Sequence, residues 1–124
     1  PKLTKLAEGA LEDCYFCNHY HPDDPNPKLQ AFLKAYKAKN KETPNSLAAL
    51  GYDAMYIIKQ AIETAGELDR KKIADALRNT KGFDGVTGKF DIDKDRNAEK
   101  PVTMLKIKGD EFKFVRQIKP DEMK

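Results

Sequence analysis

The residues with the most chemical potential sit close together in DCYFCNHYHPDD, residues 13–24. Alternate side chains of an extended segment point the same way. Cys17, His19 and His21 could therefore converge on one Zn²⁺, with Asp23 close by. This H-x-H-x-D spacing suggests metal-dependent hydrolysis. Two features weigh against it: Asp24 stands where a further His would complete the pattern, and the sequence holds only 2 His. Cys14 and Cys17 form a C-x-x-C pair. Redox pairs of this spacing occupy helix N-termini, where the dipole lowers a thiol pKa. Here the aromatic neighbours read as a strand, and residues three apart on a strand face opposite sides. The pair is expected to be two small buried residues without a disulfide between them.

Asp91-Ile92-Asp93-Lys94-Asp95-Arg96-Asn97 begins like a calcium loop. Such a loop needs Gly at its sixth position and Glu at its twelfth. This chain has Arg96 and Val102 there, so the segment reads as a turn whose Asp and Asn accept backbone hydrogen bonds. Gly82, Gly85 and Gly88 lack the Lys-Ser/Thr of a phosphate loop and read as tight-turn residues before a strand. No Ser/His/Asp or Cys/His catalytic pattern is present. The expectation is a protein that is not an enzyme and needs no metal or cofactor.

At 124 residues the chain suits one domain with one core. A 35% charged fraction describes a well-solvated surface, and no apolar run approaches the roughly 20 residues of a membrane span. The net charge of +3 comes from 23 basic and 20 acidic residues that are interspersed. The densest run, Lys34, Lys37, Lys39 and Lys41, reads as a solvated helix face, so no nucleic-acid partner is expected. The chain begins Pro1-Lys2-Leu3-Thr4, with neither an initiator Met nor an apolar leader. It is expected to be a processed chain or an excised segment without a signal peptide.

Any site must be positioned by an alternation of element types. Residues 1–10 show weak helical periodicity through Leu3, Leu6, Ala7 and Ala10, with Gly9 to end it. Leu11–Asn18 reads as a strand, followed by the turn-rich HPDDPNP. Asn26 and Pro27 start a helix with Leu29, Phe32, Leu33 and Tyr36 on one stripe. Pro44–Ala65 is a second helix, started near Asn45 or Ser46. Its broad apolar face comprises Leu47, Leu50, Ala54, Ile57, Ile58, Ala61, Ile62 and Ala65, and it stops at Gly66. Gly51 within it suggests close packing against a neighbouring backbone. Asp69 caps a third helix ending near Gly82. Val86–Ile92 reads as a strand and Asp93–Lys100 as a polar turn. Val102–Lys108 and Glu111–Ile118 form a hairpin, with Phe112, Phe114, Arg116 and Ile118 on one face. The order is β-α-α-α-β-β-β, in the α/β class.

Four segments in this order and spacing carry a resemblance: YFCNHYHPDDPNPKLQAFLKAYKAK, AALGYDAMYIIKQAI, KIADALRNTKGFDGVTGKFDIDKDRNAEKPV, and MLKIK with EFKFV. Together they resemble solute-binding proteins of branched-chain amino acid ABC transporters, the Leu/Ile/Val-binding type, from about Leu11 to Lys119. The resemblance implies the C-terminal part of a two-lobed, Rossmann-like type I periplasmic-binding-protein fold. Residues 1–124 would then be the C-terminal segment of one solute-binding domain. Leu11–Asn18 and the strands beyond Val102 would belong to the second lobe, the helices within 27–80 to the first, and His19–Pro25 to the hinge.

The resemblance further implies a small amino acid or similar solute held between closing lobes. Leu47, Asn18 and Tyr20 would lie at the cleft, and most of the ligand clamp would come from outside this segment. ABC permease subunits would be the protein partners, in a periplasmic or extracellular location. Strands deprived of parallel neighbours leave open edges, so the isolated chain is expected to self-associate. The alternative is a small metal-dependent hydrolase using Cys17, His19, His21 and Asp23.

Overall fold

The computed structural model describes residues 2–123. In chain order its elements are α1 (Lys2–Leu6), β1 (Tyr15–Asn18), α2 (Pro27–Asn40), α3 (Ser46–Ala65), α4 (Arg70–Arg78), β2 (Phe83–Gly85), β3 (Gly88–Ile92), β4 (Ala98–Glu99), β5 (Val102–Lys108) and β6 (Glu111–Ile118), closed by a 3₁₀ turn over Pro120–Met123. The strands form two sheets, ordered β1-β5-β6 and β2-β3-β4. All pairings among the described residues are antiparallel. The chain thus divides into a sheet half and a helical half, with residues 19–26 and 100–101 crossing between them.

The helices start and stop where local chemistry dictates. The Asn26 side chain accepts from the Lys28 amide ahead of Pro27, and the Asn45 side chain accepts from Ala48. Asp69 does the same for Lys72, and Gly66 ends α3 at φ 71°. Leu29, Phe32 and Leu33 of α2 are buried with Tyr20, Ala49 and Val86 in one cluster. Each fully buried side chain of this size contributes about 1.5–3 kcal/mol.

Several sequence expectations are corrected. The strand expected over 11–18 is confined to Tyr15–Asn18, because Asp13 adopts φ 62° in a turn. Of the helix expected over 1–10, residue 1 lies outside the described residues, α1 ends at Leu6, and Leu3 and Leu6 are exposed. Cys14 and Cys17 are exposed, not buried. The strand expected over 86–92 is a hairpin: β2 and β3 pair Gly85 with Gly88 around a two-residue turn of Val86 and Thr87. The polar turn that follows contains β4, and Asp93 accepts there from the Asp95 and Asn97 amides.

Two further corrections concern which faces meet. The register of β6 shifts between Met104 and Leu105 of its partner, leaving Val115 as the extra residue of a bulge. Phe112 and Phe114 pair with Ile107 and Leu105, whose side chains are buried, while Arg116 and Ile118 pair with Met104 and Val102 on the opposite face. Gln117, opposite the buried Thr103, takes the inward position instead. In α3 the buried residues are Ala49, Asp53 and Ala61. Leu47, Met55, Ile58 and Ile62 are exposed, and a Cβ at Gly51 would meet no atom of another element within 4 Å.

At the start of β1, Asp13 pairs with Lys106 at 2.8 Å and Lys108 at 2.5 Å. Their hydrogen bonds hold its carboxyl down to about 2. A carboxyl lowered on folding stabilises above its unfolded value and loses that contribution as pH falls through the folded one. The Asp13 carboxyl is therefore expected to titrate near 2 by NMR, and Asp13→Asn to remove part of the acid sensitivity of unfolding below pH 4. An ordinary carboxylate midpoint would contradict the pairing.

Candidate functional site

Asn18 ends β1 and faces the start of α3. Its Oδ1 accepts from the His19 amide at 2.8 Å and from the Ser46 hydroxyl at 2.7 Å. The second bond joins the sheet half to the helical half. Leu47, the next residue of α3, is 76% exposed. By position, the first amides of α3 have no intrahelical acceptor. An amide side chain, a hydroxyl, helix-start amides and an apolar side chain thus share one edge of the junction. These groups can hydrogen-bond the polar end of a small solute and pack against an apolar one.

Tyr20 follows in the first crossing but turns inward. It is 4% exposed within the core cluster, and its hydroxyl donates to the Pro44 carbonyl just ahead of α3. Burial pushes its phenol pKa up. Its side chain thereby fixes where α3 begins. The buried Asp24 of the same crossing accepts from the Asn26 amide at 3.0 Å and from Gln117 Nε2 at 2.9 Å. The bulge in β6 is what aims Gln117 at it.

The residues of the hydrolase alternative are not brought together. Cys17, His19 and Asp23 are exposed, and His21 Nδ1 accepts from the Asp23 amide at 3.2 Å. No group of three or more His, Cys, Asp or Glu among the described residues is arranged to hold a metal ion. The alternation that would align the two imidazoles ends with β1 at Asn18, so the strand argument for convergence does not extend to them.

Behind the junction lies a polar network that sequence reasoning missed. Asp53, 4% exposed on α3, accepts from the Val86 amide at 2.7 Å, the Thr87 amide at 3.0 Å and the Thr87 hydroxyl at 2.5 Å. Lys100 Nζ donates to the same Thr87 hydroxyl oxygen. Gly85 is required for this approach, since a Cβ there would come 2.5 Å from Asp53 Oδ2. The available signal was an acid within the apolar first half of a helix, followed by a Gly-Val-Thr-Gly turn whose amides need an acceptor. Ser46 and the Asp24–Gln117 pair carried no comparable sequence signal.

Residues 1–111 match the profile of a family described as Periplasmic binding protein. Over 71 residues the chain is 39% identical to a leucine-, isoleucine-, valine-, threonine- and alanine-binding protein of Pseudomonas aeruginosa, covering 56% of this chain and 18% of that protein. It superposes on a leucine-binding protein of Thermotoga maritima with TM-score 0.81 and 39% identity, covering 98% of this chain and 35% of the other. A branched-chain amino acid transporter substrate-binding protein of Streptococcus pneumoniae, crystallised with isoleucine, gives TM-score 0.71 and 30% identity over 93% of this chain and 34% of its own. The chain spans about a third of the length of these two structures.

Removing the Asp53 carboxylate would strand two buried amides and a hydroxyl. Asp53→Ala is expected to lower stability by about 3 kcal/mol in urea unfolding, and Asp53→Asn by less, because one oxygen remains an acceptor. An unchanged midpoint for Asp53→Ala would show that the turn holds itself.

Proposed function

Because the chain belongs to the periplasmic binding protein family, we propose that it is the C-terminal segment of the solute-binding component of an ABC transporter for branched-chain amino acids or related small solutes. The observation that carries this reading is the 39% identity to a leucine-binding protein across 98% of the chain. The segment binds rather than catalyses. Asn18 and Ser46 supply polar contacts to the solute and Leu47 an apolar one, while Tyr20 holds the start of α3 in place. In the whole protein the solute sits between two lobes in the periplasm or outside the cell, and the closed form is presented to permease subunits. A cleft needs both walls, and this segment supplies only part of each: Asn18 from the sheet half, and Ser46 and Leu47 from the helical half.

A graft tests the assignment. This chain is placed on the remainder of the Thermotoga maritima leucine-binding protein in exchange for the matching segment. The folded graft is expected to bind leucine in calorimetry, and Asn18→Ala or Leu47→Asp within it to weaken binding by about tenfold or more. A folded graft that takes up none of leucine, isoleucine and valine overturns the reading.

On its own the chain leaves one edge of β1 unpaired among the described residues and exposes Leu47, Met55, Ile58 and Ile62 on α3. Such surfaces pair with other chains. Sedimentation equilibrium at roughly 100 μM is expected to show dimers or larger species; a compact monomer there would remove self-association from the account.

A further inference from the structure

Beside the second crossing the two halves leave a crevice of about 510 Å³ between them, within the roughly 300–1,000 Å³ of small-molecule sites. Its apolar floor comes from Phe90 of β3, Pro101 of the crossing and Pro120 of the closing turn. Phe90 and Pro101 are buried and Pro120 is half-buried. Their places are fixed from behind. The Phe90 ring packs on Phe83 with centroids 5.1 Å apart, and the Lys100 ammonium lies 5.5 Å from its centroid. Pro101 rests against Gly88, where a Cβ would come 2.6 Å from the proline Cγ. The floor is therefore built by the same hairpin that Asp53 holds to α3.

Four charged side chains line this crevice without an ion-pair partner among the described residues. Lys89 and Glu99 stand on the hairpin side, Lys119 and Asp121 on the β6 side. Elsewhere on the surface opposite charges close on one another, as Lys28 does on Asp84 at 2.9 Å and Lys59 on Glu63 at 2.7 Å. Here each wall presents one cation and one anion that remain apart. Glu99 also stands opposite Asp91 in the β3–β4 register, and like charges directly opposite destabilise a strand pair. Asp91 is compensated by the Gly82 amide at 2.6 Å and by Lys81 at 3.4 Å. Glu99 has no such compensation among the described residues.

We propose that this crevice is a second ligand site, for an α-amino acid with an apolar side chain. An apolar floor flanked by uncompensated charges of both signs is complementary to a molecule that carries an ammonium, a carboxylate and an apolar body. Glu99 takes the ammonium, which relieves its repulsion with Asp91. Lys119 takes the carboxylate from the opposite wall, and the side chain lies on Phe90 and Pro120. Lys89 and Asp121 add one charge of each sign. The site shares no residue with the Asn18–Ser46–Leu47 junction and does not depend on what binds there.

The test is a titration of this chain with L-phenylalanine, followed by amide NMR. Saturating shifts are expected at Phe90, Glu99 and Lys119, with a Kd of about 1 mM. N-acetyl-L-phenylalanine amide has the same apolar body without either charge and is expected to give no saturating shift there. Glu99→Gln and Lys119→Gln, both on the surface, are each expected to weaken binding by about fivefold. Asn18→Ala is expected to leave these shifts as they are. No saturation at Phe90 and Glu99, equal binding of the uncharged analogue, or unchanged affinity in both charge variants overturns the proposal. Shifts centred on Asn18 and Ser46 in place of the crevice overturn it as well. A graft that fails to bind branched-chain amino acids leaves the crevice shifts unaffected, so the two failures are told apart.

Discussion

Asp53 accepts three hydrogen bonds from Val86 and Thr87 at a place nearly closed to water. A two-residue hairpin turn has amides that face no strand, and burying them unpaired costs about 1–3 kcal/mol each. The carboxylate, itself costly to bury alone, meets that need. The match requires Gly85 beneath the carboxylate. It also brings Val86 into the cluster of Tyr20, Leu29, Phe32, Leu33 and Ala49. Through one side chain the hairpin is located against α3, the α2–α3 core is completed, and a seat is made for the crossing at Lys100 and Pro101.

The junction between the halves follows from that arrangement. Tyr20 pins the chain ahead of α3 by its bond to the Pro44 carbonyl, so Ser46 arrives opposite Asn18. On the far side, the bulge at Val115 brings Gln117 round to Asp24. Thr103, fully buried between Asn18 and Gln117 in the strand register, has a hydroxyl with no hydrogen-bond partner among the described residues. The polar groups of the site thus form a row across β1, β5 and β6, where the sheet half meets the helices.

The face that α3 leaves open has a physical logic of its own. Its mean apolar character is high, yet its buried line comprises Ala49, Asp53 and Ala61, two small residues and a carboxylate. Large apolar side chains such as Leu47, Met55, Ile58 and Ile62 point elsewhere. A helix that is apolar on most sides suits burial on more than one side. Here it is covered by α4, by the hairpin and by α2, and the chain spans about a third of the length of the structures it superposes on.

Local chemistry made much of the fold legible. Asn26 with Pro27, Asn45, Gly66 and Asp69 set the helix ends without help from the rest of the chain, because caps act within one turn. The Gly109-Asp110 turn and its alternating flanks set the last hairpin. The quoted segments carried the family, and Asn18 and Leu47 carried a first sketch of the junction. Which face of α3 is buried was decided only in three dimensions, because its pattern is apolar nearly all round and the choice depends on what packs against it. The hairpin at Val86 and Thr87 hid for a similar reason: two turn residues of strand-like type sit there only because Asp53, more than thirty residues earlier, supplies their acceptor. The bulge at Val115, the inward Tyr20 and the seat under Lys100 likewise depend on contacts between residues distant in the chain, which periodicity does not record. The sequence alone determined the capped ends of the three long helices, the last hairpin and the family; the tertiary structure decided the remaining strand bounds and which side chains meet, because those choices are made by partners and not by neighbours.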